Sequence, residues 1–505
     1  MAITQSAPLT GMPTTIRQAL SSNYIDFATA GSSDGWAQQY LPDLIEKEAE
    51  VFGNRTISGF LSQVGAEEAM TSDQVVWSEQ GRLHLAYTGH TEHVTVCGNT
   101  TGTPAGGQFT LDTDVDGTAI ASGSVDHGVR VNDTVLAASA TGVHQFIVTA
   151  VANNVIDVIP YDATNNNGQI TNITGFSSTD TVVNILVYGS EYSKGTNGRG
   201  NSNDPKFKSF TNKPIILKDK YAVSGSDASA IGWVEVSGED GQNGYMWYLK
   251  AEGDTRTRFA DYCEMSMLEG VLGDSAQSAA DGSVLNAAHT TFGTEGLFAA
   301  LESRGNITDG VIGTSPSTDL AEFDLILAEL DKQGAIEENM LFLNRATALA
   351  FDDMLAGAIV GFATGGASYG VFENGEDMAL NLGFSGFRRG SYDFYKTDWK
   401  YLNQMDARAQ INSINAAAAI RGVMIPAGVM SVYDQMLGKN MKRPFLHVRY
   451  RASQTDNRRF KSWVTGSVGA VTSDLDAMEV HYLSERCLVT QGANNFFLFK
   501  GGVAA

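Results

Sequence analysis

The apolar residues of this chain follow two periods. In QFIVTAVANNVIDVIPYD (Gln145–Asp162) they alternate, with Phe146 and Val148 on one face and Ile147 and Thr149 on the other, which predicts two strands. Asn153-Asn154 joins them, and Asn tolerates the positive φ that a two-residue hairpin turn requires. VVNILVYG, from Val182, predicts a further strand, and PIILKDKYAVSGSDASAIGWVEV (Pro214–Val236) predicts two strands around a turn at Gly225. Elsewhere the period is helical. Phe259, Cys263, Met267 and Val271 stand four apart and predict a long helix from Gly244 to Leu272, with Arg256, Arg258, Asp261 and Glu264 on its wetter flank and Gly253 weakening its start. A second helix is predicted from Asp319 to Gly334, opened by an Asp319/Glu322 capping box and striped by Leu320, Phe323, Leu327 and Leu330. Met340–Asn344 (MLFLN) reads as a buried strand and Arg345–Leu355 as a helix. Gln38–Phe52 reads as another helix, with Glu46, Glu48 and Glu50 outward and Gly53-Asn54 as its stop.

The order of these elements is mixed, which gives an α+β class, and no fixed-period repeat interrupts it. Residues 1–36 are small and polar without a period and read as an extended arm. Thr91–Ser190 holds one arginine, Arg130, and no lysine, and is rich in Thr, Val, Asn, Asp and Gly. This block is expected to be an all-β insertion, a small antiparallel barrel or sandwich. The C-terminal HYLSERCLVTQGANNFFLFK is strand-rich. A length of 505 residues suggests about three domains or one elaborated fold.

The 34 Lys and Arg against 57 Asp and Glu give a formal charge of −23. Such a chain is a poor general partner for DNA, whose phosphates reward clustered cations, and for an anionic membrane surface. It suits the lining of a container whose contents must not stick. Cys97, Cys263 and Cys487 are far apart with no CxxC, which fits a reducing cytoplasm and no disulfide framework. The N-terminal stretch has no charged and apolar leader pattern, and no apolar run approaches the roughly 20 residues that span a bilayer.

Candidate chemistry is sparse. Gly366-Ala367-Ser368-Tyr369-Gly370 matches the GxSxG nucleophile elbow, which needs a buried strand before the serine and a helix after it. Here a glycine-rich segment precedes it and Asn374-Gly375 marks a turn soon after, so a structural loop is expected. His84, His90 and His93 lie close together, but no HExxH or cysteine pair completes a zinc site, and solvated or structural histidines are expected. Asp112, Asp114 and Asp116 alternate as calcium ligands do. The downstream glutamate of an EF-hand is missing, so a solvated β-turn is expected. No catalytic residue, metal site or cofactor is assigned.

Two basic stretches stand out on this acidic chain. KGTNGRGNSNDPKFK carries Lys194, Arg199, Lys206 and Lys208 against Asp204 alone, in a glycine-rich context that reads as a flexible finger. KNMKRPFLHVRYRASQTDNRRFK gathers Lys439, Lys442, Arg443, Arg449, Arg451, Arg458, Arg459 and Lys461. Nucleic-acid contact is one reading. The overall charge favours the other, a basic surface that meets an acidic neighbouring subunit.

Four stretches carry a family resemblance: EVFGNRTISGFLSQVGAEEAMTSDQVVWSEQGRLHL (Glu50–Leu85), EYSKGTNGRGNSNDPKFKSFTNKPIILKDKYAVSGSDASAIGWVEV (Glu191–Val236), GYMWYLKAEGDTRTRFADYCEM (Gly244–Met265) and RRFKSWVTGSVGAVTSDLDAMEVHYLSERCLVTQGANNFFLFK (Arg458–Lys500). In these the chain resembles the major capsid proteins of tailed bacteriophages, with the fold named after phage HK-ninety-seven, and among them those of crAss-like phages. The resemblance implies an N-terminal arm and helix over 1–52, a peripheral segment over 53–90, an insertion domain over 91–190 and an extended β-loop over 191–236. It further implies a spine helix with peripheral domain over 237–310, an axial domain over 311–440 and a peripheral return over 441–505. Lys194, Arg199, Lys206, Lys208, Lys213, Arg458 and Arg459 are then expected at intersubunit contacts. Implied partners are other copies of the chain, the portal and other head proteins, with packaged DNA enclosed but not specifically recognised and no membrane. The implied location is the virion, after assembly in the bacterial cytoplasm. Two other classes remain open: a tail or receptor-binding protein whose β insertion binds carbohydrate, and a serine hydrolase using Ser368.

Overall fold

The computed structural model describes residues 57–61, 66–81, 84–92, 106–161, 170, 173–199, 207–226, 236–237, 243–244, 246–273, 293–362, 386–427, 429–434, 439–467 and 471–501. The expected arm, the helix at Gln38–Phe52, the GxSxG loop, His93, Cys97, Lys206 and most of the strand after Gly225 lie outside them. The chain divides into a unit at Ser78–Ser209 and a second unit made of the remainder.

The remainder begins with β1 (Ala66–Met70) and leaves along β2 (Val75–Gln80). Within Ser78–Ser209 the strands are β3 (Ala86–Thr91), β4 (Gly107–Asp114), β5 (Asp133–Ala138), β6 (Val143–Ala152), β7 (Val155–Pro160) and β8 (Val182–Ser190). They close into a barrel in the order β3-β4-β7-β6-β5-β8, every pairing antiparallel. Alternation decides what fills it: Phe146 and Val148 point in and Thr149 out. Phe109, Phe146 and Phe176 meet at centroid distances of 5.3–5.9 Å. Asn153 adopts φ 55° at the β6–β7 turn, as the sequence requires. Gly89 of β3 sits opposite a bulge in β4 at Asp112, where a Cβ would lie 2.0 Å from the Thr110 carbonyl oxygen, so only glycine lets β4 pair there. The unit is wider than the compositional block Thr91–Ser190. Its first strand begins at Ala86, and the Glu191 N–H donates to Asn132 O (2.9 Å), which ties residues after β8 back to the barrel.

The chain returns along β9 (Phe207–Asn212), which pairs with β2, and continues into β10 (Ile215–Ser224). Short strands β11 (Val236–Ser237) and β12 (Asn243–Gly244) precede the helix α1 (Met246–Glu269). Then come α2 (Leu297–Arg304), β13 (Asn306–Thr308), α3 (Pro316–Lys332), β14 (Glu338–Leu343), α4 (Arg345–Phe362), β15 (Gly386–Arg389) and β16 (Tyr392–Asp398). After α5 (Lys400–Asn403) and α6 (Arg408–Ile414) follow β17 (Ile420–Pro426), β18 (Val429–Asp434), β19 (Lys439–Pro444), β20 (Leu446–Arg451), β21 (Lys461–Gly466), β22 (Ala477–Thr490) and β23 (Phe497–Lys500).

These strands build two larger sheets. One runs β1-β20-β22-β10, with β21 also on β22; β1 is parallel to β20 and the rest are antiparallel. β22 is its axis, matched over ten residues by β10, from Ile215↔Arg486 to Ser224↔Ala477. Phe259 and Cys263 of α1 pack on Val480 and Tyr482 of β22. The other sheet runs β13-β23-β17-β14-β16-β15. Its central strands are apolar on both faces: Phe342, Val423, Ile425 and Leu498 face one core, and Leu341, Leu343, Met424, Phe497 and Phe499 face a second core under α3 and α4. Strands covered on both faces read as unbroken apolar runs, which is why MLFLN announces itself in the sequence.

Four local expectations are corrected. α1 ends at Glu269, so Val271 falls beyond it and is 68% exposed instead of completing the buried row. Glu264 is not on a wet flank but buried, because its carboxylate accepts the N–H groups of Gly59 (2.7 Å), Phe60 (2.8 Å) and Leu61 (3.4 Å). Asp319 is not a cap: Ser315 is, accepting from the Thr318 N–H (3.3 Å), and Pro316 fills the first helical position where no N–H is needed. Asp319 is buried and accepts from Gly313 N–H (3.3 Å), while Glu322 accepts from Val311 N–H (2.6 Å). The helix expected at Arg345–Leu355 runs on to Phe362.

Candidate interaction surface

The face of the β1-β20-β22 sheet gathers most of the second basic cluster, and strand register explains how. β1 lies beside β20 with Glu67↔Val448 and Glu68↔Arg449 opposite, and Tyr450 of β20 lies opposite Arg486 of β22. Arg449 pairs with Glu68 (2.8 Å) and Arg459 with Glu67. Glu485, buried within β22, takes Arg458 (2.9 Å) and Arg451 (3.4 Å), and Arg451 also reaches Asp73. The bond to Asp73 holds the Arg451 guanidinium above its ordinary range. Lys461 pairs with Asp456 (2.7 Å), which lowers the Asp456 carboxyl. Arg486 donates to Ser484 Oγ (2.8 Å) and to the Arg459 carbonyl (2.9 Å), fixing the loop before β21 against β22. A cavity of about 490 Å³ opens there, lined by Glu67, Asn457, Arg459, Phe460 and Arg486.

The cluster that reads as unbalanced basic charge along the sequence is therefore countered within its own chain at Arg449, Arg451, Arg458, Arg459 and Lys461. Glu67, Glu68 and Glu485, which supply that charge, were not singled out from the sequence. Their signals are the acid pair in AEEAM (Ala66–Met70) and the charged Glu485-Arg486 inside the apolar run of β22. Charges in a buried strand call for partners nearby. Arg459 keeps a side-chain exposure of 57% and Arg458 one of 30%. Side chains of Lys439, Lys442 and Arg443 lie outside the described residues.

Lys194 and Lys208 are exposed and Lys213 is half-buried after β9. Arg199 reaches back within Ser78–Ser209 to Asp133 (2.9 Å), a fully buried carboxylate that also accepts the Arg130 N–H (2.7 Å). Burial raises the Asp133 carboxyl, opposed by that N–H and by Arg199. Arg199 thus has a role in its own unit that the finger reading did not supply.

The other sequence candidates separate. His90 Nδ1 lies 2.7 Å from Asp112 on the neighbouring strand, His84 is exposed, and Asp114 closes a turn with the Gly117 N–H donating to its carbonyl (2.9 Å). Among the described residues no group of three or more His, Cys, Asp or Glu is placed to hold a metal ion. Cys263 and Cys487 are buried free thiols, Cys487 pushed up to about 12 by burial. Among the described residues no helix is long and apolar enough to cross a membrane.

No family model matches the chain, and no curated protein sequence matches it. Solved phage structures align with it at low identity. One from Microbacterium phage Oxtober96 aligns over 92% of this chain and 96% of its own at 8% identity, with a TM-score of 0.34. The capsid structure of cyanophage P-SCSP1u aligns over 63% of this chain and 81% of its own at 9% identity, with a TM-score of 0.31. The procapsid of satellite phage P4 including its size determination protein aligns over 63% of this chain and 86% of its own at 9% identity, with a TM-score of 0.27.

Proposed function

We propose that this chain is a structural protein, the major capsid protein of a tailed phage, which closes through contacts between copies into the pentamers and hexamers of an icosahedral head around double-stranded DNA. The observation that carries the reading is the order in which the elements are assembled. A paired ribbon (β2 with β9) leads into β10, then a 24-residue helix lies on that sheet. A separate sheet with its own helices follows, and β20–β22 return to complete the first sheet. The family resemblance implies an order of extended loop, spine helix, axial domain and peripheral return, and this order of elements supports that reading. Within it, residues 1–52 serve as the arm, 237–310 as spine and peripheral domain, 311–440 as axial domain and 441–505 as the return.

Assembly then rests on heterologous contact, one patch of each copy meeting a different patch of the next, which closes rings when the rotation allows. Lys194, Lys206, Lys208 and Lys213 present cations that an acidic neighbour attracts, setting register more than affinity. Arg199, Arg458 and Arg459 contribute with the part of their charge that Asp133, Glu485 and Glu67 leave exposed. A net charge of −23 keeps the inner surface from trapping DNA as it enters. The reading needs no cofactor, no membrane and no catalytic group. Its other partners are the portal and remaining head proteins, and its site is the virion after cytoplasmic assembly. The likeness to crAss-like phages belongs to the same proposal.

Sedimentation and negative-stain imaging test it, with the chain expressed alone and together with the genes flanking its own. Shells, tubes or ring-shaped capsomers are expected, and Lys206→Glu with Lys208→Glu should reduce their yield at low salt. A persistent monomer or small trimer in both expressions overturns the proposal.

A further inference from the structure

We propose that the barrel carries a binding site for a neutral saccharide, built on Tyr161 and Tyr188. The strands make the site. β5 and β8 are in register at Asp133↔Ser190 and Thr134↔Gly189, then slip, with Val135 opposite Val187. Tyr188 is the extra residue of that bulge, and bulges re-aim side chains. It is 55% exposed. Tyr161 follows β7 and is held by its N–H donating to the Gln145 carbonyl (3.1 Å); it is 45% exposed and its hydroxyl donates to Glu191. Glu191 is itself fixed by its N–H on Asn132.

Between them lies an open cavity of about 610 Å³, lined also by Thr134, Gln145 and Ser190. That volume suits a ligand of two or three sugar rings, within the range of small-molecule sites. Tyrosines offer rigid apolar faces with a polar tip, and an amide, hydroxyls and a carboxylate supply the donors and acceptors that a polyol needs. Among the described residues no Lys or Arg lines the cavity and Glu191 is its one charge, so an acidic sugar meets that carboxylate. The openness of the site and the engagement of Glu191 by Tyr161 argue against an enclosed aromatic cage for an ammonium group. The site does not depend on the proposed assembly.

The test is saturation-transfer NMR and calorimetry on the full chain with maltotriose, chitotriose, a wider array of neutral oligosaccharides, sialyllactose and choline as probes. Binding of at least one neutral oligosaccharide is expected. Tyr188→Ala should weaken it about tenfold, roughly the 1.4 kcal/mol of one lost ring contact, and Tyr161→Phe should weaken it less because the ring stays. Circular dichroism of the exposed-site variants checks that the barrel is intact. The proposal falls if no neutral oligosaccharide binds, if binding survives Tyr161→Ala with Tyr188→Ala in the folded chain, or if sialyllactose or choline is preferred.

Discussion

The barrel and the rest of the chain are held together in different ways. The barrel wraps an apolar interior, with Phe109, Phe146 and Phe176 at its centre; hairpins β5–β6 and β6–β7 join sequence neighbours in its wall, and β8 closes it against β3 and β5. The other unit is closed by distant pairings, Ala66 with His447 and Ile215 with Arg486, and it buries charge to do so. Arg421, 2% exposed at the bulge near the start of β17, donates to the carbonyls of Val311 (2.9 Å), Gly310 (2.8 Å) and Gly501 (2.5 Å). Asp309, Asp319 and Glu322 surround it and oppose the lowering of its pKa by burial. The loop it holds contains Val311 at φ 57°, a conformation that a β-branched residue adopts only when its surroundings impose it. The barrel's apolar core, whose buried carboxylate Asp133 is tied to Arg199, and the buried ionic ties of the other unit should therefore fail separately.

The largest effect expected is in the barrel. Phe146→Ala removes a fully buried ring that touches two others and should cost about 3–5 kcal/mol. All six tryptophans of the chain lie outside Ser78–Ser209. Tryptophan emission during denaturant unfolding should thus keep its midpoint while hydrogen-exchange protection of the β6 and β7 amides is lost at lower denaturant. A common shift of both would break the comparison by making the units one cooperative system. Arg421→Met is the converse. It strands three carbonyls and leaves three nearby acids without their cation, at a cost of about 3 kcal/mol, read in tryptophan emission with the barrel signal unmoved.

The same contrast decides what was readable in advance. The barrel's alternation, its Asn153-Asn154 turn and its inward Phe146 and Val148 all depend on near neighbours, and near neighbours are what a sequence displays. The apolar run of β14 and the Phe259–Cys263–Met267 row were legible for the same reason. Glu264, Asp319 and Glu485 were not, because their partners, at Gly59, Gly313 and Arg458, are set by folding and not by spacing. Each looks like a surface or capping acid from its own segment. The basic cluster misled in the same way: its acids come from β1 and β22, and only the sheet places them beside it. The Tyr161–Tyr188 site depends on a one-residue bulge between β5 and β8, which no period announces.

Glu264 gives the smallest effect and the finest test of whether burial or hydrogen bonding governs these ties. Glu264 and Asp261 project from α1 and hold residues 57–61, with Asp261 Oδ1 accepting from Ile57 (3.1 Å) and Ser58 (2.9 Å). The clamp seats Phe60 on Trp399, with ring centroids 4.4 Å apart, and against Phe342 at 4.7 Å. In Glu264→Gln one oxygen becomes an NH₂ that faces a backbone donor, so one N–H loses its acceptor, at about 1 kcal/mol. Burial raises the Glu264 carboxyl, against the pull of the three N–H groups. A raised folded pKa means that the folded chain holds the proton more tightly than the unfolded one. The associated stability is complete below the ordinary carboxylate range and is lost as pH rises through the raised value. Denaturation followed by tryptophan emission from about pH 4 to about pH 8 should show the wild type's advantage over Glu264→Gln shrinking as pH rises. An advantage that grows with pH would mean that the three N–H donors outweigh desolvation, and that even the buried charges of this unit are stabilised as ions.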